Sequence, residues 1–117
     1  MVEDTEYNGY TNYPTWNISL WLYNDRVRQA HLRAMAQKTL SAFLAEDDRR
    51  NPHYNSYKRL SLLDQGTVQF RLADEIKEFV EEIGPDLGAS FTADLVGWAL
   101  NQVDWQEIAQ KLLSELK

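Results

Sequence analysis

Five carboxylates, Asp74, Glu75, Glu78, Glu81 and Glu82, fall three and four residues apart along one stretch of the chain. On a rigid helix that spacing sets acids in neighbouring positions on the surface. Such a row can imitate phosphates and occupy the nucleic-acid groove of another protein. Asp86 and Asp94 extend it. The opposite chemistry lies at Arg49, Arg50, His53, Tyr54, Asn55, Tyr57, Lys58 and Arg59, where basic groups would meet phosphates and tyrosines would stack on bases. Other candidates are sparse. His31 and His53 sit in different segments without the His-Glu-x-x-His spacing of a metal site. The absence of cysteine excludes disulfides, thiolate ligation and thiol catalysis together. No nucleophile elbow, phosphate-binding glycine loop or dinucleotide fingerprint occurs. The expectation is a non-enzymatic protein with no cofactor and no metal.

Charge and composition bound the class. The 117 residues suit one domain, and 44% hydrophobic with 12% aromatic content suffices for a core. Net charge is −6, but the middle of the chain (residues 26–60) is basic and both flanks are acidic. Basic and acidic helices packed side by side would neutralise one another. The overall acidity argues against tight non-specific binding of a polyanion. The first six residues are acidic and lack the apolar run of a signal peptide. No stretch approaches the roughly 20 apolar residues of a membrane span. A soluble cytoplasmic protein is expected.

The elements that would position these groups are helical. Residues 1–10 read as a flexible arm. A first helix starts near Asn12, with Thr11 or Asn12 as cap and Pro14 tolerated in the first turn. Trp16, Leu20 and Tyr23 recur at helical spacing, and Ile18, Trp21 and Leu22 widen the stripe, so burial on most sides is expected. Asn24 and Asp25 end it, and either can cap the next helix, about 26–46. There Val27, Ala30, His31, Ala34, Met35, Leu40, Phe43 and Leu44 trace the expected inner face. A polar link leads to Pro52, and residues 53–65 read as a short helix or irregular segment. A third helix spans about 67–83, with Val68, Leu72, Ile76, Phe79, Val80 and Ile83 inward and the five acids outward, and Gly84-Pro85 ends it. Phe91, Leu95, Trp98 and Ala99 mark a fourth. Asp104 with Glu107 forms a capping box for the last, whose apolar face is Trp105, Ile108, Leu112, Leu113 and Leu116. The fold class is all-α, a compact single domain of four to five helices spanning 1–117.

The aromatic run of the first helix is interleaved with Asn17, Ser19, Asn24 and Asp25. A buried Asn17 would need partners, so a hydrogen-bond network tying the N-terminal arm to the C-terminal helices is expected there. Trp16 and Trp21 would form an aromatic clasp with Trp98 and Trp105. The run Tyr10-Thr11-Asn12-Tyr13-Pro14-Thr15-Trp16-Asn17, followed by Leu20-Trp21-Leu22 and Asn24-Asp25, resembles a family of short uncharacterised proteins of bacteriophages, mobile elements and bacterial genomes. Its second mark is the Val103–Ala109 segment, Val-Asp-Trp-Gln-Glu-Ile-Ala. The family usually has an acid where this chain has Pro14, which removes a capping box from Thr11. The resemblance implies ancestry and setting without chemistry.

These observations point to a small acidic helical protein that binds a protein partner through Asp74, Glu75, Glu78, Glu81 and Glu82. In a phage or mobile-element setting, that partner would be a host nucleic-acid enzyme or defence complex. The alternative is direct nucleic-acid binding through Arg49, Arg50, Tyr54, Tyr57, Lys58 and Arg59. No membrane partner is expected. The chain would be a monomer or a homodimer, with Trp21, Tyr23, Tyr54 and Tyr57 as candidates for a dimer face.

Overall fold

Side-chain caps decide where the helices begin. The computed structural model describes residues 6–46, 57–83 and 91–116. Asn12 caps α1 (Tyr13–Tyr23), its Oδ1 accepting from the Thr15 N–H at 3.0 Å, with Pro14 in the first turn. Asp25 caps α2 (Arg26–Ala45), accepting from the N–H groups of Val27 and Arg28. A 3-10 turn at Tyr57–Arg59 leads into α3 (Leu62–Ile83). Helix α4 (Phe91–Asn101) precedes α5 (Trp105–Ser114), which Asp104 caps by accepting from the Glu107 N–H at 3.1 Å. The described residues form an all-α domain of five helices. Among them, no helix is long and apolar enough to cross a membrane.

Helix α3 packs most extensively on α5, and α2 covers both, while α1 lies against α2 and α5. The core is continuous: Leu32, Ala36, Leu40 and Phe43 of α2 meet Val68, Leu72, Ile76 and Val80 of α3 and Ile108, Leu112 and Leu113 of α5. Burying a side chain of this kind stabilises by about 1.5–3 kcal/mol. Arg71 of α3 forks onto the Glu46 carboxylate at the end of α2 (2.6 and 3.3 Å), locking those two helices at the surface. The expected inner faces of α3 and α5 are the observed ones where described.

Three expectations need correction. The inner face of α2 runs through Leu32, Ala36, Thr39, Leu40 and Phe43, whereas Val27 is 78% exposed and Ala30, His31 and Ala34 face solvent. Alanines at 30, 34 and 36 allow two stripes at helical spacing, and the one carrying Leu32 buries more apolar surface. Helix α3 starts at Leu62 and not at 67. The Ser61 hydroxyl accepts from the Asp64 N–H, and the Gln65 amide donates to the carbonyls of Tyr57 and Leu60, so the helix is nucleated ahead of Gly66. The arm carries a local structure that the sequence reading did not include, Tyr7 and Tyr10 bonding to each other through both backbone pairs around Asn8 and Gly9. Both central residues have positive φ (49° and 85°), as an Asn-Gly hairpin turn of type I′ requires.

The third correction concerns α1. Its buried residues are Thr15, Ser19 and Leu22, while Tyr13, Leu20 and Trp21 are exposed. The cause is a pair of interlocked caps. Thr15 Oγ1 donates to Asn12 Oδ1 at 2.6 Å and accepts from the backbone N–H of Asp104 at 2.8 Å. The Asn12 amide donates to the Gln102 carbonyl at 2.7 Å, and Glu107 accepts from the Thr11 N–H at 2.9 Å. In an ordinary capping box Glu107 would reach back to the Asp104 N–H. Here those two groups are satisfied instead by Thr15 of α1 and by Thr11 just ahead of its cap. This fixes the rotation of α1, brings its small hydroxyl residues inward and leaves its aromatics on the rim. Trp16 packs against Tyr7 and Tyr13 (centroids 4.9 and 5.6 Å apart), and Arg28 lies 4.2 Å over Trp21. Asn17 is exposed, so the network runs through Asn12 and Thr15 instead.

Replacing Thr15 by Val keeps its volume but leaves the Asp104 N–H without its acceptor, an expected loss of about 1–3 kcal/mol by denaturant titration. Asn17→Ala, two positions away but exposed, is expected to stay within about 0.5 kcal/mol of the parent. At the α1–α2 corner, bonds first from the Arg28 N–H and then from Val27 hold the Asp25 carboxyl below its ordinary 3.8. The lowered value means the cap stabilises fully above the unfolded-state value and weakens as pH falls below it. The stability difference between parent and Asp25→Ala should therefore be constant above roughly pH 5 and shrink on acidification. A difference that grows toward low pH would contradict this sign.

Candidate functional site

All five carboxylates of the predicted row are exposed on α3, but the fold divides them. Glu75, Glu78 and Glu82 line one side of a groove of about 390 Å³ between α3 and α2. Its floor is Ala34, Met35 and Phe79, and Lys38 and His31 stand on the opposite rim. Asp74 turns toward α5 and shares a second, smaller depression with Lys77, Phe70 and Trp105. Glu81 lines neither. Three of the five acids therefore share one groove.

Local structure explains the groove. Positions 31, 34, 35 and 38 lie on one face of α2, and 75, 78, 79 and 82 on one face of α3. The His31 ring packs on Phe79, with centroids 4.7 Å apart and planes 31° off parallel. The buried Thr39 hydroxyl donates to Glu75 Oε2 at 2.5 Å, so this carboxylate is oriented from beneath. Glu78 and Glu82, one helical turn apart, make no hydrogen bond or ion pair among the described residues. An apolar floor with carboxylates along its edge complements a lysine or arginine side chain, the methylene stem lying on Met35 and Phe79 and the cationic head meeting the rim. Among the described residues no cluster of three histidine, aspartate or glutamate side chains is arranged to hold a metal ion.

The charge on this face works against its own helix. Asp74 and Glu78, and Glu78 and Glu82, are like-charged pairs at i, i+4, each destabilising by about 0.2–0.5 kcal/mol. Acids near a helix C-terminus also oppose the macrodipole, and α3 has no basic residue in its last turn. Lys77 is the nearest cation on the helix, and it makes no ion pair among the described residues.

The other predicted residues fall elsewhere. Arg49, Arg50 and Tyr54 lie outside the described residues. Tyr57 is buried in the core beside α5, and that burial raises its hydroxyl pKa, so its ring is not offered for base stacking or a dimer face. Lys58 and Arg59 are exposed. Tyr23 is half-buried, its hydroxyl pKa raised by burial and by Glu115. Trp98 is 63% exposed and Trp105 half-buried. The expected aromatic clasp is thus corrected to a polar one, centred on Asp104, Thr15 and Asn12. Asn24 and Asp25 serve the α1–α2 corner, where Arg28 and Gln29 donate to the carbonyls of Trp21 and Tyr23. The groove's α2 side was missed as a site because 31, 34 and 35 were read as core. Lys38, one turn beyond Ala34, was the available sign that this face meets water.

The chain belongs to a family of unknown function, DUF7249, whose model matches residues 3–117. This agrees with the expectation of an uncharacterised family. No curated protein and no solved structure matches the chain.

If the acid row is electrostatically strained, removing charge must stabilise the fold. Glu78→Gln with Glu82→Gln is expected to gain several tenths of a kcal/mol in denaturant titrations at low salt. The gain should diminish at 1 M salt, where the screening length falls to about 3 Å. A loss of stability would show that these carboxylates are held by compensating contacts.

Proposed function

We propose that this DUF7249 protein acts without catalysis, by presenting the acidic face of α3 to a basic surface on a protein partner. The observation that carries the reading is the uncompensated clustering of Glu78 and Glu82 at the negative end of their own helix, beside a groove with an apolar floor. A surface that costs stability in isolation gains most when a cation meets it. Glu75, braced by Thr39, fixes one edge of the site, while Glu78 and Glu82 supply its free charge. In the phage or mobile-element setting, the partner is a host nuclease, defence complex or transcription component in the cytoplasm. The carboxylates would then occupy positions that phosphates otherwise take in its nucleic-acid groove. The buried Tyr57 weakens the alternative reading, direct nucleic-acid binding through the 49–59 segment, by removing one of its two stacking rings.

The test compares the parent with a Glu78→Lys, Glu81→Lys, Glu82→Lys variant whose helicity is verified by circular dichroism. Partner capture from host lysate should be lost in the variant, and short duplex DNA should compete it away from the parent. Unchanged capture by the variant overturns the assignment. An electrophoretic shift of DNA by the purified parent, present at roughly 50 mM salt and fading steeply as salt rises, would instead favour the basic segment.

A further inference from the structure

The N-terminal half of α3 carries a surface unrelated to its acids. Leu62 and Leu63 are 86% and 82% exposed and Phe70 is 58% exposed, on the rim of a depression of about 470 Å³ that also includes Gly66 and Thr67. Contiguous exposed apolar side chains of this kind mark contact surfaces. Gly66 adds a second observation. Glycine inside a helix weakens it relative to alanine, yet a Cβ at Gly66 would meet nothing within 4 Å. No packing among the described residues explains it. A glycine between bulky neighbours is what a second backbone needs in order to approach closely.

We infer that a second copy of this chain docks here, the two α3 helices crossing antiparallel about a two-fold axis at Gly66. An isologous contact requires the same patch to complement itself, and the spacing does so. With Gly66 on the axis, Leu62 of one protomer falls opposite Phe70 of its partner, and the pair is made twice. Charge selects the antiparallel sense. Asp74 lies about 12 Å beyond Gly66 and Glu82 about 24 Å, at 1.5 Å per residue. The two acidic ends therefore point apart, whereas parallel helices would align them. The same arrangement carries the exposed Lys58, just ahead of α3, toward the partner's Asp74. Arg71, at the edge of the patch, is already held by Glu46, so no unpaired charge enters the contact. This surface is separate from the acidic groove, and the pairing stands whether or not that groove binds a partner.

The mass of the full chain by sedimentation should rise from 13.7 kDa toward twice that value as concentration increases across roughly 1–100 μM. Leu62→Glu and Phe70→Glu each change an exposed residue and should hold the chain at monomer mass with unchanged circular dichroism. Gly66→Ala should raise the melting temperature at low concentration and weaken association. Because the chain has no cysteine, single-cysteine variants report geometry cleanly. Thr67→Cys should form a disulfide-linked dimer on mild oxidation, and Glu82→Cys should not. A parent that remains at 13.7 kDa throughout overturns self-pairing and assigns the stripe to a helix of another protein. Association untouched by Leu62→Glu and Phe70→Glu places the dimer elsewhere and equally overturns it. Efficient linkage through Glu82→Cys overturns the antiparallel crossing.

Discussion

The hydroxyl of Thr15 is the point on which the arrangement of this domain turns. It donates to the cap of its own helix, Asn12, and accepts from the first free N–H before α5, at Asp104. One buried side chain thereby joins the caps of two helices, although Thr15 and Asp104 are eighty-nine residues apart in the chain. Helix N-termini leave N–H groups without intrahelical partners, and most proteins cap each helix locally. Here the local solution is half dismantled at α5 so that Glu107 and the Asp104 N–H can meet Thr11 and Thr15. The bond is directional, so it fixes the rotation of α1 where apolar packing alone would permit several orientations.

That rotation explains why an aromatic helix shows its aromatics to solvent. Hydrophobic burial is non-directional and tolerates a shift of a stripe by one or two residues. An unsatisfied buried N–H is far less forgiving. Where the two requirements compete in α1, the polar one decides which face is inward, and Leu22 is the large apolar residue that meets both. The displaced rings find lesser partners: Trp16 between Tyr7 and Tyr13, and Trp21 under Arg28. Lys111 completes the join by donating to the Gly9 carbonyl and lying 3.6 Å over Tyr10, so even the turn ahead of α1 is fastened to α5.

What could be read from the sequence follows the same division. A count of four to five helices, the Asp104 cap, the other two caps to within one residue (Thr11 or Asn12, Asn24 or Asp25), and the inward residues of α3 and α5 depend on local chemistry and strong periodicity, and each was legible. The inward faces of α1 and α2 were not. On α1 the deciding bond joins Thr15 to a residue no local pattern connects with it, and on α2 alanines leave the period without a single phase. The start of α3 was hidden because Gly66 looks like a boundary, while the side chains that nucleate the helix, Ser61 and Gln65, act through the turn before it. Asn8-Gly9 was a readable hairpin signal between two tyrosines that was passed over. For the candidate site, the acids were visible as a row. Their division into a groove-lining set and two outliers depends on where α2 lies, which only tertiary packing determines.

Helix α3 then shows how the domain can carry surfaces that stability alone would not select. Acids favour the start of a helix and cations its end, yet α3 has one acid in its first turn, all five of its clustered carboxylates within its last ten residues, and exposed leucines at its start. The helix survives this inversion because its other side is sealed against α5 and α2 by Val68, Leu72, Ile76 and Val80, and its middle is clamped by Arg71 to Glu46. Burial of each of those side chains outweighs several unfavourable surface pairs, since one is worth about 1.5–3 kcal/mol and the other about 0.2–0.5 kcal/mol. Stability concentrated in the core and the interlocked caps leaves the outer face of α3 free to be shaped by contact with other molecules. The apolar half and the acidic half of that face, separated along one rigid rod, thus carry opposite surface chemistries on a single helix.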